Sequence, residues 1–196
     1  QVPGVLDAAR VGRYTGYLPQ TPSLQGGGIM ALDAPSFARV AFWRDDFARA
    51  ELTALMGRLT ATPNGVLMPR EDMERYLLNE GDALRLTVNV YGYETAMDLT
   101  IVGSFNLFPT WNPRSGPLFV MNLNHLLERI GFELPTAIWF GIDPAADLEE
   151  VQRAIYVINP FSAIRPLYYQ GITNVQERPT RQGLLGTLSV GFLATA

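Results

Sequence analysis

The sequence contains no cysteine and no lysine, and His125 is its single histidine. Without cysteine there is no disulfide framework, no thiolate nucleophile and no cysteine-based metal site. Without lysine there is no P-loop, so the triple glycine Gly26-Gly27-Gly28 reads as loop flexibility rather than as a phosphate cradle. The lone His125 lies in an NLNHLLERI segment with amphipathic helical spacing and has no G-x-S-x-G elbow to serve, so it reads as structural rather than as a catalytic base. The carboxylate pairs Asp45-Asp46 and Glu149-Glu150 are adjacent in sequence, which turns their side chains apart on helix or strand, and capping or solvation accounts for them. No EF-hand loop and no zinc spacing is present, and no cofactor or metal is expected.

Charge is also scarce. Charged residues make up 17% of the chain and hydrophobic residues 47%, a composition that excludes disorder. The formal charge of -4, with all 15 basic residues scattered arginines, leaves no basic footprint, and nucleic acid is excluded as a partner. The start, Gln1-Val2-Pro3-Gly4, has neither the basic residues nor the apolar run of a signal peptide.

What is present is a succession of strand, helix and strand patterns. Val5 to Gly12 reads as a strand, followed by a long Gly, Pro and Ser-rich loop through Gly28 and a short strand over Ile29 to Leu32. Asp46 is the expected N-cap of a helix with Phe47, Leu52, Leu55, Met56 and Leu59 at helical spacing. Asn64-Gly65 closes that unit, and Val66 to Met68 leads as a strand into a helix from Pro69 to Leu78, with Glu71 and Asp72 in its first turn. After the turn at Glu80-Gly81-Asp82, Leu84, Leu86, Val88 and Val90 alternate with polar residues. Gly92 turns the chain, and Met97, Leu99 and Ile101 alternate in the same way, which specifies a β-hairpin.

Leu118 to Met121 is a further strand, followed by a helix from about Leu123 to Ile130 and a strand over Ala137 to Gly141. Asp143-Pro144 then reads as the N-cap and first position of a helix with Leu148, Val151 and Ile155 on its apolar face. The predicted class is α+β. Phe105 to Pro117 holds three prolines and reads as a surface loop, yet it carries Phe105, Phe108 and Trp111. Two roles are open for them: an exposed anchor for a lipid, peptide or protein partner, or a plug for the end of the hairpin's own core. Their accessibility decides.

The C-terminal residues Gln182 to Ala196 carry no charge and would span roughly 22 Å as a helix, short of a hydrocarbon core about 30 Å thick. Gly183, Thr187, Gly191 and Thr195 recur at every fourth position and would form one stripe of small residues suited to helix packing in lipid. The expectation is an interrupted membrane helix. A C-terminal helix buried in a soluble core is the alternative.

Taken in order, VPGVLDAARV, FARVAFWRDDFA, GVLMPREDMERYLLNEGDALRLTV, IVGSFNLFPTWNP and RPTRQGLLGTLSVGFLATA resemble the extracytoplasmic domain of FtsX-like, MacB-type ABC transporter permeases, over nearly the whole chain. The resemblance implies a two-lobed α+β periplasmic core-like domain over residues 1–181, with a β-rich lobe at about 66–135, and the start of a transmembrane helix over 182–196. It further implies a non-catalytic part of a permease in the cell membrane, on the extracytoplasmic side. Its partners would be a cytoplasmic ATP-binding subunit, a second permease copy or homologue, and the membrane itself. The alternative is a membrane-anchored extracytoplasmic sensor or ligand-binding module.

Deleting Gly183 to Ala196 is expected to leave a folded and more soluble domain, because an apolar helix without lipid must cover its surface by self-association. Thermal melting and gel filtration of the truncated chain check this. Cooperative unfolding on truncation would instead assign the segment to the core.

Overall fold

The computed structural model describes residues 2–19 and 26–158. The account below concerns the compact unit of residues 1–151. The segment expected to enter a membrane, with Gly183, Thr187, Gly191 and Thr195, lies outside the described residues. Among those that are described, no helix is long and apolar enough to cross a membrane.

Seven strands build one mixed sheet: β1 (Val5–Tyr17), β2 (Gly27–Leu32), β3 (Gly65–Pro69), β4 (Ala83–Val90), β5 (Tyr93–Phe105), β6 (Leu118–Asn122) and β7 (Ala137–Ile142). Helices α1 (Ala34–Val40), α2 (Leu52–Ala61), α3 (Arg70–Arg75), α4 (Leu123–Ile130) and α5 (Leu148–Ile158) connect or follow them. The class is α+β. Strands β3 to β6, all within the segment 66–135 or at its border, pair into the same sheet as β1, β2 and β7.

The sheet closes on itself. Strand β1 pairs antiparallel with β2, β2 parallel with β6, β6 antiparallel with β3, β3 parallel with β5, β5 antiparallel with β4, and β4 returns to β1 through Thr15, Gly16 and Tyr17. Six strands therefore form a ring, and β7 lies outside it, paired with the first half of β1 from Val5 to Val11. Closure gives each ring strand an inside and an outside.

The inside is filled by residues from all six strands, among them Tyr14, Ile29, Val66, Met68, Leu86, Val88, Leu99, Ile101, Phe119 and Met121. Helix α4 contributes Leu123, Leu126 and Ile130 to that same core. Residues of opposite parity, including Met30, Leu32, Leu67, Leu118 and Val120, face outward into a second core with Phe37 of α1 and Leu52, Leu55, Met56 and Leu59 of α2. Burial on both sides is why GIMAL, VLM and LFVM read as continuous apolar runs, whereas β4, wet on its outer side, shows clean alternation. Strand β1 keeps its alternation: the odd-numbered Ala9 and Val11 face the outer core and the even-numbered Tyr14 faces the ring interior. At Gly12, on the same side as Tyr14, a Cβ would stand 2.4 Å from the Tyr14 hydroxyl.

Three expected helix boundaries are corrected. Asp46 does not cap α2; its carboxylate is taken by Arg44, and the helix starts after Glu51. The delay arises because Phe47 is packed edge-on against Phe42 and Trp43, and its carbonyl accepts the Asn106 and Leu107 amides. Asp143 likewise caps a turn, accepting from the Ala145 amide at 2.9 Å, and Asp147 accepts the Glu149 amide at the start of α5. Helix α3 ends at Arg75 rather than at Leu78, because Leu77 adopts a left-handed conformation (φ 55°) and the Leu78 amide reaches back to Met73 O, a Schellman closure with leucine where glycine is usual.

Gly16 stands at the seam where the ring closes, opposite Val88, and a Cβ there would lie 2.8 Å from Thr87 O and 2.5 Å from Ile29 Cδ1. Backbone cannot move aside as a side-chain tip can. Gly16→Ala is expected to cost about 1–3 kcal/mol in urea unfolding, the scale of overpacking a tight site, while Gly57→Ala, whose Cβ meets nothing within 4 Å, serves as the tolerated control.

Candidate partner-binding surface

The loop from Asn106 to Pro117 is held to the body along its length. Asn106 and Leu107 donate their amides to Phe47 O at 2.6 and 3.0 Å, Arg13 of β1 donates to the Thr110 hydroxyl, and Gly28 of β2 donates to Pro117 O at 2.9 Å. The Trp111 indole N–H donates to Gly116 O at 3.1 Å, and the Asn112 side chain accepts the Arg114 amide. Fixed this way, the loop turns its aromatic residues inward.

Phe105 is fully buried and Phe108 is 2% exposed. Phe108 stacks on Phe37 at 5.8 Å and touches Phe105 at 5.0 Å and Trp43 at 5.8 Å. Trp111, half-buried, meets Phe105 edge-on at 5.6 Å. Trp139 of β7 joins the group through Phe37 at 5.3 Å. The expectation of an exposed anchor is thereby corrected for Phe105 and Phe108, which belong to the outer core. The physical reason is the pull of α1: Phe37 offers a buried apolar partner within ring-contact distance, and aromatic pairs gain about 0.5–1.5 kcal/mol beyond their area.

Only the flank of Trp111 meets solvent, in a notch of about 130 Å³ lined by Pro69, Glu71, Asp72, Arg75, Asn106 and the prolines on either side of Gly116. Asp72 is the one buried acid there. Burial pushes its carboxyl above the ordinary aspartate value, Arg75 at 3.6 Å opposes that shift, and Glu71 adds to it. Elsewhere the balance reverses: the Arg39 guanidinium holds Asp7 low, and Arg44 does the same for Asp46. A wider cleft of about 410 Å³ is bounded by Pro3, Gly4, Asp143, Ala146, Asp147, Glu150 and Val151. Among the described residues no group of three or more metal-ligating side chains comes together. His125 is half-buried on α4.

A group of exposed aromatics lies at a different place, the tip of the β4–β5 hairpin. Tyr91 and Gly92 form its two-residue turn with φ of 49° and 91°, the geometry of a type I′ hairpin, in which Asn-Gly is favoured. Tyr91 is 76% exposed and meets only the edge of Tyr14 at 6.3 Å. Beside it Tyr93 contacts Phe132 at 5.9 Å, both about half exposed, and Tyr17 at the end of β1 donates to Glu94 Oε2 at 3.3 Å. The sequence does carry a signal for these residues, a Tyr-Gly-Tyr turn where polar residues are the rule, but Phe132 meets Tyr93 only through the placement of α4, and Tyr17 lies opposite Thr87 on the other face of the hairpin.

No family model matches the chain, and no curated protein matches it. Among solved structures the chain is similar to the extracellular domain of a noncanonic ABC-type transporter, YknZ, from Gram-positive bacteria, with 10% identity and a TM-score of 0.47 over 81% of this chain and 79% of that one. It is also similar to a domain of a putative permease protein from Porphyromonas gingivalis (14% identity, TM-score 0.43, 82% of this chain and 65% of that one). A third is the periplasmic region of MacB from Actinobacillus actinomycetemcomitans (8% identity, TM-score 0.46, 80% and 66%). The first of these neighbours is an extracellular domain, the second a permease domain and the third a periplasmic region.

The raised carboxyl of Asp72 has a defined sign for stability. A folded-state value above that of the unfolded chain means that the folded protein is fully relieved of the penalty only below the free aspartate range, about 3.9, and that the penalty grows as pH rises through the folded value. Asp72→Asn is therefore expected to raise the melting temperature at neutral pH relative to the parent, with the difference shrinking as pH falls below that range. The pairs of Asp7 and Asp46 act in the opposite direction, losing their contribution as pH falls, in both proteins alike. Parallel melts across pH check the sign.

Proposed function

We propose that the chain is a non-catalytic extracytoplasmic domain of an ABC transporter permease, anchored in the cell membrane. It couples ATP-driven motion of transmembrane helices to the handling of a substrate or partner outside. Its partners in this reading are a cytoplasmic ATP-binding subunit and a second permease copy. The ordered segments quoted from the sequence support the class, and the long apolar run after Arg181 supports the anchor.

The observation that carries the mechanical part is the path of β1. The chain passes from Val2 through one turn, in which the Val5 amide donates to Val2 O at 3.2 Å, directly into β1. Gly4 O accepts the Asp143 amide at 2.9 Å, so even the turn is tied to the segment after β7. Strand β1 then spans 13 residues and pairs with β7, β2 and β4 in turn. A displacement delivered at Pro3 reaches a hydrogen-bonded ring with no slack between, because ladders and packed cores transmit strain rather than absorb it. Coupling of this kind needs differential contacts in two states of the permease, which its membrane part and ATPase would supply.

The test uses the natural open reading frame. It is expected to encode a membrane helix before Gln1 and further helices after Ala196, beside a gene for an ATPase. In the complete permease, a short Gly-Ser insertion between Pro3 and Gly4 is expected to preserve ATP hydrolysis while abolishing the extracytoplasmic activity. A reading frame without flanking membrane helices, or an insertion that leaves both activities intact, overturns the proposal.

A further inference from the structure

Strand β7 keeps an open edge. It stands at the end of the strand order and pairs only with β1, and among the described residues no other backbone hydrogen bond reaches it. The ladder shows which of its groups are free. In an antiparallel pair, directly opposed residues alternate between those that exchange hydrogen bonds and those that do not. The Arg10 carbonyl accepts the Asp33 amide at 3.2 Å, and the Ala8 amide donates to the Asp7 carboxylate at 2.8 Å, so both groups point away from β7. Arg10 and Ala8 lie opposite Ile138 and Phe140, which makes these the non-bonded pairs of the ladder. The N–H and C=O groups of Ile138 and Phe140 therefore point outward, to the open edge.

An exposed edge invites pairing with another strand, and proteins blunt such edges with charge, proline or a bulge. The far edge of β1 is blunted in this way: a bulge falls at Leu6, and Asp7 is clamped by Arg39. Strand β7 lacks these devices, since Thr136 to Ile142 carries no charge and no proline. Its side towards α1 is packed, Trp139 against Phe37, whereas on the other side Ile138 is 54% exposed and Phe140 half-buried. The occupant that fits this edge is an extended, uncharged segment with large apolar side chains at alternate positions. Strand β7 of another molecule meets each requirement, and it is already extended, so it loses little entropy on pairing.

We propose that β7 pairs antiparallel with β7 of a second copy of this chain, about a two-fold axis at Trp139. In that register Ile138 and Phe140 of one copy exchange N–H···O bonds with Phe140 and Ile138 of the other, which satisfies the outward groups of both. An axis at Trp139 also keeps the whole uncharged run from Thr136 to Ile142 opposite itself.

The chain has no cysteine, so introduced thiols report on position alone. A pairing of one short strand falls at the small end of interfaces, below about 1,200 Å², and a disulfide captures it better than gel filtration does. Ile138→Cys and Phe140→Cys chains are prepared with different tags, mixed in a maltoside detergent that shields the uncharged residues 182–196, and oxidised with copper phenanthroline. A mixed disulfide dimer is expected, and its yield is expected to be largely lost when Phe140→Cys is replaced by Asp98→Cys, at an exposed position of β5. Thr136→Cys with Ile142→Cys, at the ends of the same ladder, is expected to crosslink likewise and leaves the half-buried Phe140 in place. Melting curves of the reduced variants check that each is folded. Ile138→Lys changes a side chain that is already exposed, so its melting temperature is expected to match that of the parent. It is expected to abolish the Thr136→Cys with Ile142→Cys disulfide, because it sets an ammonium group against Phe140 of the second copy. Equal yields with Asp98→Cys and with Phe140→Cys overturn the proposal, being the mark of association through the tail. Absence of any mixed dimer also overturns it, as when another segment or a different partner closes the edge, and so does a disulfide that survives Ile138→Lys. The inference rests on the ladder alone, so its failure leaves the transporter reading standing, and a reading frame without membrane helices leaves the dimer standing.

Discussion

The pairing of β4 with the end of β1 through Thr15, Gly16 and Tyr17 is the contact on which the rest of the fold depends. Without it the six strands would form an open sheet with β4 as an edge, and the interior residues of β4 and β5 would have no opposite wall. With it, the strands enclose a core that α4 completes with Leu123, Leu126 and Ile130. Two glycines make the closure possible for different reasons. Gly12 leaves room for the Tyr14 ring, and Gly16 lets the β4 backbone approach to within the space a methyl group would need.

Closure also sets where mechanical stiffness lies. The inner core is bounded by hydrogen-bonded strands all round, and the outer core is clamped by α1, α2 and the aromatic group of Phe37, Phe105 and Phe108. The ion pairs add little by comparison. Arg58 with Glu80, Arg75 with Glu71 and Arg85 with Asp98 are all exposed, and such pairs contribute about 0–1 kcal/mol. A body held by two packed layers behaves as a lever rather than as a hinge, which suits a domain whose proposed task is to relay motion.

The aromatic residues divide into two populations with opposite logic. In the loop from Asn106 to Pro117, prolines and turn residues misrepresent the environment: backbone bonds to Phe47 and β2 fold the loop down, and its rings are buried. At the hairpin tip the local turn geometry is ordinary and the residue choice is not. Tyr91 takes a positive φ and stays exposed at a turn where asparagine is favoured.

Much of the fold was legible in the residues themselves. The hairpin from Leu84 to Ile101 and the helix from Leu123 to Ile130 follow from period-2 and period-3.6 patterns, because amphipathic burial on one side leaves a periodic trace. The strands at Ile29 and Val66 were found as apolar runs, though not which side faced which core. Helix starts at Asp46 and Asp143 were misread because an aspartate caps whichever amide the tertiary structure leaves open, and Arg44 and the Ala145 turn claimed them first. Composition and patterning determined the α+β class, the lack of thiol or lysine chemistry in the side-chain inventory, and most strand positions. Ring closure, the burial of Phe105 and Phe108, and the contacts of Tyr93 with Phe132 and of Tyr91 with Tyr14 were decided only by tertiary structure, since each joins residues far apart in sequence through pairings that carry no local signature.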